Sequence, residues 1–312
     1  MSDDQQVVAV VVTWNRRDLL EESLRATLRQ TRPTDRVVVV DNASTDGTDE
    51  MLRAEFAGVE VVRATRNSGG AGGFALGIRH ALESGPCTVL WLMDDDTVPT
   101  ATALEALVSA RAGYPGRAPA LVASRVIWTD GREHPMNTPR PRPGAGRAER
   151  EYAARGGCLP IRSASFVSVL VDAEVVRERG LPIADYFLWN DDFEFTTRVI
   201  RGNVGLSCPA SVVVHKTRTF ASTDADPGER FFYEVRNKVW VFTRSRGLSP
   251  LEKIGYGGAT GLRWVRTMAR SHDRRTLLAC LARGLARGVV AGPRRTADVL
   301  AELVETGGAG HE

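Results

Sequence analysis

The feature that most constrains the fold is a regular alternation of strand-like and helix-like segments over residues 7–93. Four runs of β-branched and other apolar residues are typical of strands, the first of a strand buried on both faces and the second of a buried strand. These runs are VVAVVVT (7–13), RVVVVD (36–41), VEVVRA (59–64) and CTVLWLM (87–93). Helix-like segments separate them, the first with Leu20, Leu24 and Leu28 at helical spacing. The alternation predicts an α/β fold with an open, mainly parallel sheet flanked by helices.

The rhythm changes in the second part of the chain. There we predict a strand at 120–128, followed by a long Pro-, Gly- and Arg-rich loop at 137–150. A strand with a short helix follows at 164–180, then a helix at 190–202 and a strand end at 211–215. The sequence after residue 225 is mostly helical in pattern. We therefore predict one domain over residues 1–225, divided near residue 128, followed by a helical region over 226–312.

Composition and cysteine placement bound the class of protein. Hydrophobic residues make up 43% and charged residues 25% of the 312-residue chain, as in ordinary soluble proteins. The four cysteines are far apart and form no C-x-x-C pair, which argues against a structural zinc site and a disulfide framework. The N-terminus is acidic before its apolar run, unlike a signal peptide, and no run approaches the ~18 apolar residues of a membrane span. These patterns predict a cytoplasmic protein.

The basic charge is concentrated in the C-terminal region. Residues 1–225 carry 26 Lys and Arg against 29 Asp and Glu, whereas residues 226–312 carry 15 against 9. The segment 261–295 contains nine arginines and one acid, with leucines at helical spacing. Such a segment can lie on an anionic membrane, which would give a peripheral position on the inner face of the plasma membrane. The alternative is a helix packed on the domain or on a second copy in a homo-oligomer.

Four polar clusters follow the four predicted strands. They are Thr13 with Asn15, DNASTDGT (41–48), RNSGGAGG (66–73) and Asp94–Asp96. Any one of them could be turn or cap chemistry, since Asp, Asn, Ser and Gly are common turn residues. Because ligands of open α/β sheets bind at the carboxyl ends of the strands, four clusters at one edge predict a binding site.

The glycines at 69–73 indicate a phosphate-bearing ligand but not a dinucleotide. Gly70, Gly72 and Ala75 match a G-x-G-x-x-A fingerprint. That fingerprint belongs on the turn after the first strand, whereas here it follows the third. A dinucleotide oxidoreductase is therefore disfavoured, and the glycines are interpreted as permitting close approach of a phosphate.

The aspartate triplet predicts a divalent cation site. In an extended segment, residues two apart face the same way, so Asp94 and Asp96 can converge while Asp95 points elsewhere. Two carboxylates with open positions suit Mg²⁺ or Mn²⁺ bound together with phosphates. His215, at the end of SVVVH, could complete the site because Mn²⁺ also accepts imidazole. The alternative is a set of acids placed at a helix N-terminus.

A second acidic cluster, FLWNDDFEF (187–195), combines capping and catalytic possibilities. Asn190, Asp191 or Asp192 could cap the following helix. One of the two aspartates is also a candidate general base.

Taken together, DNASTDGT, the triplet and WNDDFEF resemble the family 2 type of inverting GT-A glycosyltransferases. RNSGGAGGF and WLMDDD are more narrowly similar to the galactofuranosyltransferases of actinobacterial cell-wall arabinogalactan and their rhamnosyltransferase-like relatives. The resemblance extends over about residues 6–215. It implies a GT-A fold with a nucleotide-sugar half (about 1–128), an acceptor half (about 129–225) and a basic helical extension. The segment RFFYEVRN (230–237) also looks familial, but we assign it no role.

The resemblance implies an inverting, metal-dependent transfer of a sugar in cell-wall or polysaccharide synthesis. Galactofuranose from UDP-galactofuranose is the first expectation, with a glycan or a polyprenyl-linked molecule as acceptor, Mn²⁺ or Mg²⁺ as cofactor and no nucleic-acid partner. A dTDP-rhamnose-dependent rhamnosyltransferase is the alternative. A nucleotidyltransferase and a non-catalytic membrane-binding protein are more remote alternatives.

The same resemblance assigns roles to individual residues. The nucleotide would contact Thr13, Asn15, Asp41, Asn42, Asp46, Arg66, Asn67, Gly69, Gly70 and Asp94, with Asp41 accepting from uracil N3–H. The metal ligands would be Asp94, Asp96 and His215. Asp192 would be the base and Trp189 would border the acceptor sugar. Asp191 remains the alternative base, because related chains often have Gly or Asp where this chain has Asn190.

Overall fold

A computed structural model describes residues 5–217, 220 and 226–304 of the chain. The strands, in chain order, are β1 (Val7–Thr13), β2 (Arg36–Asp41), β3 (Glu60–Arg63), β4 (Val89–Asp94), β5 (Thr97–Pro99), β6 (Leu121–Ile127), β7 (Arg140–Pro141), β8 (Leu159–Ser163), β9 (Ser168–Asp172) and β10 (Gly205–His215). The helices are α1 (Arg17–Leu28), α2 (Thr48–Glu55), α3 (Gly69–Glu83), α4 (Ala103–Ala112), α5 (Arg147–Arg155), α6 (Ala173–Arg179), α7 (Asp191–Ile200), α8 (Phe231–Thr243), α9 (Pro250–Arg270), α10 (Arg274–Val290) and α11 (Thr296–Ala301).

The strands form one central sheet in the order β3-β2-β1-β4-β9-β6-β10-β8-β7, and β5 pairs with β10. The first four strands are mutually parallel, as predicted. The second part of the sheet is mixed, because β9 runs antiparallel to both β4 and β6, while β6 and β10 are parallel. The predicted α/β architecture with flanking helices is confirmed.

The core lies on both faces of this sheet. Along β1, Val8, Val10 and Val12 face one apolar layer, and the alternate residues Val7 and Val11 face the other. Burial on both faces explains why this strand is continuously β-branched rather than alternating apolar and polar.

Register places the ends of the parallel strands side by side. Thr13 of β1 is level with Asp41 of β2, which is level with Arg63 of β3. On the other side of β1, Val12 is level with Asp94, the last residue of β4. The polar residues that follow these strands are therefore neighbours in space, as the sequence predicted.

The prediction of a loop over 137–150 was wrong in part. Arg140–Pro141 pairs with β8, and helix α5 begins at Arg147. The stretch is short of apolar residues because α5 buries Ala153 but leaves most of its surface exposed. A helix with so few apolar residues gives little apolar periodicity in the sequence.

The helical C-terminal region packs closely on the rest of the molecule. Val299, Leu300 and Leu303, in and after α11, belong to the same apolar layer as α3. The backbone N–H of Thr65 donates to the Leu303 carbonyl at 2.9 Å. The predicted division at 225/226 adjoins residues 221–225, which lie outside the described residues, and it stays a prediction.

Helix α10 packs on α8 through small residues. Gly284 and Gly288 face Val235 and Val239, and a Cβ on either glycine would lie within 2.8 Å of valine side-chain atoms. None of the helices in the described ranges has the length and apolar character that crossing a bilayer requires.

We expect Gly284→Ala to lower the free energy of unfolding by about 1–3 kcal/mol, because the new methyl group overpacks this contact. Gly258→Ala in α9 is the matched control, since its Cβ would meet nothing within 4 Å. The control should raise stability by about 0.5–1 kcal/mol, as alanine is the better helix former. Urea unfolding measures both variants; an equal gain in the two would contradict the described packing.

Candidate active site

The end of β4 brings three carboxylates together at the sheet edge. Asp95 and Asp96 are buried, and Asp94 is partly buried. Asp95 turns towards β1, where it accepts hydrogen bonds from the Thr13 hydroxyl at 2.8 Å and the Trp14 N–H at 3.4 Å. Ligand atoms of Asp94 and Asp96 lie near His215 instead, although Nη1 of Arg16 contacts both Asp95 and Asp96, so the triplet is not fully divergent.

His215, the last residue of β10, lies next to the carboxylates of Asp94 and Asp96. His215 is level with Thr97 in the β5–β10 pair, and the Lys216 N–H donates to the Asp96 carbonyl at 2.8 Å. Ligand atoms of Asp94, Asp96 and His215 all lie within 4.8 Å of one another. The predicted metal ligands are therefore clustered, although 119 residues separate His215 from Asp96 in the sequence.

The donor atoms of this cluster fit a divalent ion. Nε2 of His215 lies 2.9 Å from the buried Oδ1 of Asp96, within hydrogen-bonding distance when Nε2 is protonated. Two ligands of an octahedral ion at about 2.1 Å would lie roughly 3 Å apart. The other ring nitrogen, Nδ1, lies 2.9 Å from Oδ1 of Asn137. A hydrogen on Nδ1, donated to Asn137, leaves the Nε2 lone pair facing the carboxylates, as in metal-ligating histidines.

Burial governs the protonation of the triplet. Burial raises the pKa of Asp94 to about 7, repulsion from Asp96 adds to the rise, and His215 opposes it. Burial would also raise the pKa of Asp96, but contact with His215 and Arg16 outweighs it and lowers the pKa. Burial would lower the pKa of His215, but contact with Asp96 outweighs it and raises the pKa. A cation at this cluster would relieve repulsion that protein charges balance incompletely.

Arg16 supplies a positive charge that sequence analysis missed. Its Nη1 lies 3.0 Å from Oδ1 of Asp95 and 2.6 Å from Oδ2 of Asp96. The Arg16 side chain is 49% exposed, so it reaches the acids from the solvent side. Arg16 directly follows the Thr13–Asn15 cluster, and this position in the sequence could have indicated that it belongs to the site.

The second acidic cluster lies in the first turn of α7. Asp191 and Asp192 line the same cavity of about 760 Å³ as the triplet, together with Trp189. Asp191 is close to the helix α3 side, since a Cβ on Gly70 would lie 3.9 Å from Asp191 Oδ2. Burial raises the pKa of Asp192, with Lys238 among the groups that oppose the rise. Burial and repulsion from Asp192 raise the pKa of Asp191 well above its usual range.

Most of the predicted nucleotide residues build the turns after β1, β2 and β3. Asn15 accepts from the Thr45 N–H at 2.7 Å, and Asp46 accepts from the Arg17 N–H at 3.0 Å. Asn42 accepts from the Ser68 hydroxyl at 2.8 Å. Asn67 accepts from the Gly69 N–H at 2.8 Å, and Arg66 pairs with Glu302 at 2.8 Å. Gly70 and Asp94 are the members of this set that line the cavity.

Asp41 is the predicted nucleotide residue with spare hydrogen-bonding capacity. It is fully buried, and its Oδ1 accepts from the Ser44 N–H at 2.8 Å. Its Oδ2 has no hydrogen-bond partner within the part of the chain that is described; Nε of Arg63 lies 3.4 Å away. A buried carboxylate oxygen without a partner can accept a hydrogen bond from a ligand.

Residues from β7, α8 and α9 complete the cavity, and none of them was predicted. Arg140, Lys238 and Arg263 contribute positive charge to its lining. Nζ of Lys238 lies 4.2 Å from the centre of the Phe193 ring, and burial lowers the pKa of Lys238 to about 8. Glu234 contacts Arg263 and accepts from the Asn190 amide at 2.7 Å. The familial segment RFFYEVRN was the sequence feature that pointed to a functional role for α8. No sequence feature pointed to Asn137.

Comparison with known proteins places this geometry in a family. Residues 8–155 match the family model described as Glycosyl transferase family 2. The chain is 33% identical over 278 residues to Galactofuranosyltransferase GlfT1 of Mycobacterium tuberculosis, a match covering 81% of this chain and 88% of that protein. The chain belongs to glycosyltransferase family 2. GlfT1 of Mycolicibacterium smegmatis is 29% identical over 294 residues, covering 85% of this glycosyltransferase and 96% of the relative.

Solved structures confirm the GT-A fold of this glycosyltransferase. Staphylococcus aureus TarS 1–349 in complex with UDP-GlcNAc gives a TM-score of 0.62 at 13% identity, covering 90% of this chain and 80% of that one. The mannosyltransferase PcManGT from Pyrobaculum calidifontis in complex with GDP-Man and Mn²⁺ gives 0.53 at 21%, covering 95% and 78%. The chain spans 43% of a longer TarS structure, with a TM-score of 0.58 at 15% identity.

We expect Gly69→Ala to destabilise the enzyme by about 1–3 kcal/mol or more. Gly69 has a φ of +69°, and a Cβ there would lie 2.0 Å from the Phe187 carbonyl oxygen. Gly70→Ala is the control, because its nearest contact is an ordinary 3.9 Å. Thermal unfolding should separate the two variants, and indistinguishable midpoints would show that the loop at Phe187 is not held this closely.

Proposed function

We propose that this enzyme transfers galactofuranose from UDP-galactofuranose, with inversion, to a glycan or a polyprenyl-linked acceptor in cell-wall or polysaccharide synthesis. The observation that carries the proposal is that Asp94, Asp96 and His215 line one cavity with Asp191 and Asp192. Similarity over most of the chain to two galactofuranosyltransferases supports the choice of sugar.

In this proposal the donor nucleotide lies along the turns after β1–β3. Oδ2 of Asp41, which makes an ion pair with Arg63 but no hydrogen bond, would accept from uracil N3–H, and the turns braced by Asn15 and Asn42 would border the nucleoside. Thymine presents the same N3–H, so Asp41 would also suit dTDP. A dTDP-rhamnose-dependent rhamnosyltransferase therefore remains the second candidate.

Asp94, Asp96 and His215 would hold the metal. Two carboxylates and an imidazole suit Mn²⁺ better than Mg²⁺, which favours all-oxygen shells. When bound, the ion would neutralise the diphosphate and stabilise the departing UDP.

Asp192 is the proposed base. Its carboxylate would accept the proton of an acceptor hydroxyl, whose oxygen attacks the anomeric carbon as the bond to the diphosphate breaks on the opposite face. A pKa raised by burial makes this carboxylate a stronger base than an exposed one, provided that it is ionised. Asp191, nearer to Gly70, is the alternative base.

The acceptor would occupy the part of the cavity formed by the loop before α7 and by α8. Trp189 would border the acceptor sugar. The positive charges of Arg140, Lys238 and Arg263 suit the phosphates of a polyprenyl-linked molecule. A neutral glycan would make less use of them.

Peripheral contact with the inner face of the plasma membrane belongs to the same proposal. Within 261–295, helix α10 buries Leu277 against α8 but leaves Leu278, Leu285, Val289 and Val290 exposed. Exposed apolar residues among arginines suit an anionic lipid surface, and they would equally suit a second copy in a homo-oligomer.

Asp192→Asn should abolish sugar transfer while UDP affinity changes less than twofold, because the amide cannot accept the proton. Loss of a general base typically costs 10²–10⁴-fold. Initial rates with UDP-galactofuranose and calorimetry with UDP give the two readouts. Asp191→Asn is the matched variant, and a larger loss there than in Asp192→Asn would move the base to Asp191.

Asp96→Ala should remove the Mn²⁺ dependence of UDP binding, because it deletes a metal ligand. Calorimetric titration of UDP and of dTDP, with Mn²⁺ and with EDTA, tests both donor and metal. Tighter Mn²⁺-dependent binding of UDP supports UDP-galactofuranose, whereas a dTDP preference supports the rhamnosyl alternative. Unchanged Mn²⁺ dependence in Asp96→Ala would contradict the metal assignment.

A further inference from the structure

The buried side chain of Asn237 in α8 meets the acceptor loop, residues 185–190. Its Nδ2 lies 3.0, 2.9 and 2.8 Å from the carbonyl oxygens of Tyr186, Leu188 and Trp189, so its two hydrogens are shared among three acceptors of that loop. Asn237 is fully buried. One amide group therefore fixes the path of the backbone that leads into α7.

Arg236 sets the orientation of this amide. Its Nε donates to Oδ1 of Asn237 at 3.0 Å, so the NH₂ group must face the acceptor loop. Its Nη2 donates to the carbonyls of Asp185 and Tyr186 at 2.9 and 3.0 Å. The guanidinium also lies 4.4 Å from the centre of the Trp240 ring, which fixes its plane.

The acceptor loop has a backbone that needs such support. Phe187, Trp189 and Asn190 have φ values of 65°, 64° and 67°, in the left-handed region that non-glycine residues rarely adopt. Strained residues of this kind persist only where surrounding contacts hold them. On the opposite side, the Ala71 N–H donates to the Phe187 carbonyl at 3.1 Å, so α3 and α8 hold the loop between them.

We propose that Asn237, oriented by Arg236, is a positioning residue that holds the acceptor loop in the conformation that presents Trp189 and α7 to the acceptor. This role explains the RN pair of RFFYEVRN, and it rests on the proposed function in placing the acceptor at this loop. Because the side-chain hydrogen bonds of Asn237 within the described residues go to Arg236 and the acceptor loop, its removal should impair use of the acceptor and leave UDP binding intact.

The test compares Asn237→Ala with Asn203→Ala. Asn203 is a matched control, since it is buried and donates to the Val199 carbonyl at 2.8 Å, beyond the other end of α7. Hydrogen–deuterium exchange of residues 184–190 measures how well the backbone of the loop is protected. Calorimetry with UDP and Mn²⁺ measures the affinity of the donor site. Rates with UDP-galactofuranose and an octyl galactofuranoside read acceptor use.

For Asn237→Ala we expect loop exchange at least tenfold faster, exchange of β4 and β10 unchanged, and UDP affinity within twofold of the wild type. The kcat/KM for the octyl glycoside should fall at least tenfold. Asn203→Ala should leave loop exchange unchanged. Unchanged loop exchange in Asn237→Ala, or a uniform rise in every segment, would overturn the proposal.

A conservative variant keeps the test decisive if Asn237→Ala does not fold. Arg236→Lys retains a donor but loses the forked guanidinium, so loop exchange should rise less than in Asn237→Ala, again without loss of UDP binding. No rise in loop exchange in Arg236→Lys would count against the proposal. A wild-type enzyme that fails to transfer from UDP-galactofuranose would refute the proposed function, while the exchange results would still decide the role of Asn237.

Discussion

Burial of negative charge at the end of β4 is the constraint around which the site is arranged. Three adjacent carboxylates cannot all be ionised in a partly dry site without nearby positive charge or hydrogen-bond donors. Thr13 donates a hydrogen bond to Asp95, and Arg16 makes an ion pair with it. Arg16 and His215 both contact Asp96. Asp94 has less compensation, and its pKa rises to about 7. The pairing of β10 with β5 contributes to this compensation of charge, because it places His215 beside Asp96.

The loop before α7 lies between the proposed donor and acceptor sides of the site and contacts residues on both. The loop before α7 touches α3, whose first turns contain the glycines at 69–73, and α8, which follows the last strand of the sheet. A displacement on either side must therefore move the loop that carries Trp189. At Gly69 the loop comes so close to the start of α3 that a Cβ there would lie 2.0 Å from the Phe187 carbonyl oxygen.

Strands β1, β2 and β4 and their terminal polar residues could be predicted, because strands buried on both faces give a continuous apolar run. Strand β3 lies at the sheet edge and is only partly buried, so its run VEVVRA is less apolar. Asp94 and Asp96 do converge, but residues 95–96 form a turn, so the two-residue period of a strand is not the reason. The antiparallel direction of β9 could not be predicted, since periodicity carries no information on strand pairing. Asn137 and Lys238 were missed because their meaning depends on contacts with distant residues, His215 and Phe193.

The docking of α11 has a consequence for the order in which the molecule is made. Val299, Leu300 and Leu303 complete the apolar layer beside α3, which forms from residues synthesised more than two hundred positions earlier. On the ribosome, the nucleotide half emerges with that layer incomplete and its apolar surface open to solvent. The first half of the sheet can reach its final packing only after α11 has been synthesised and has left the exit tunnel.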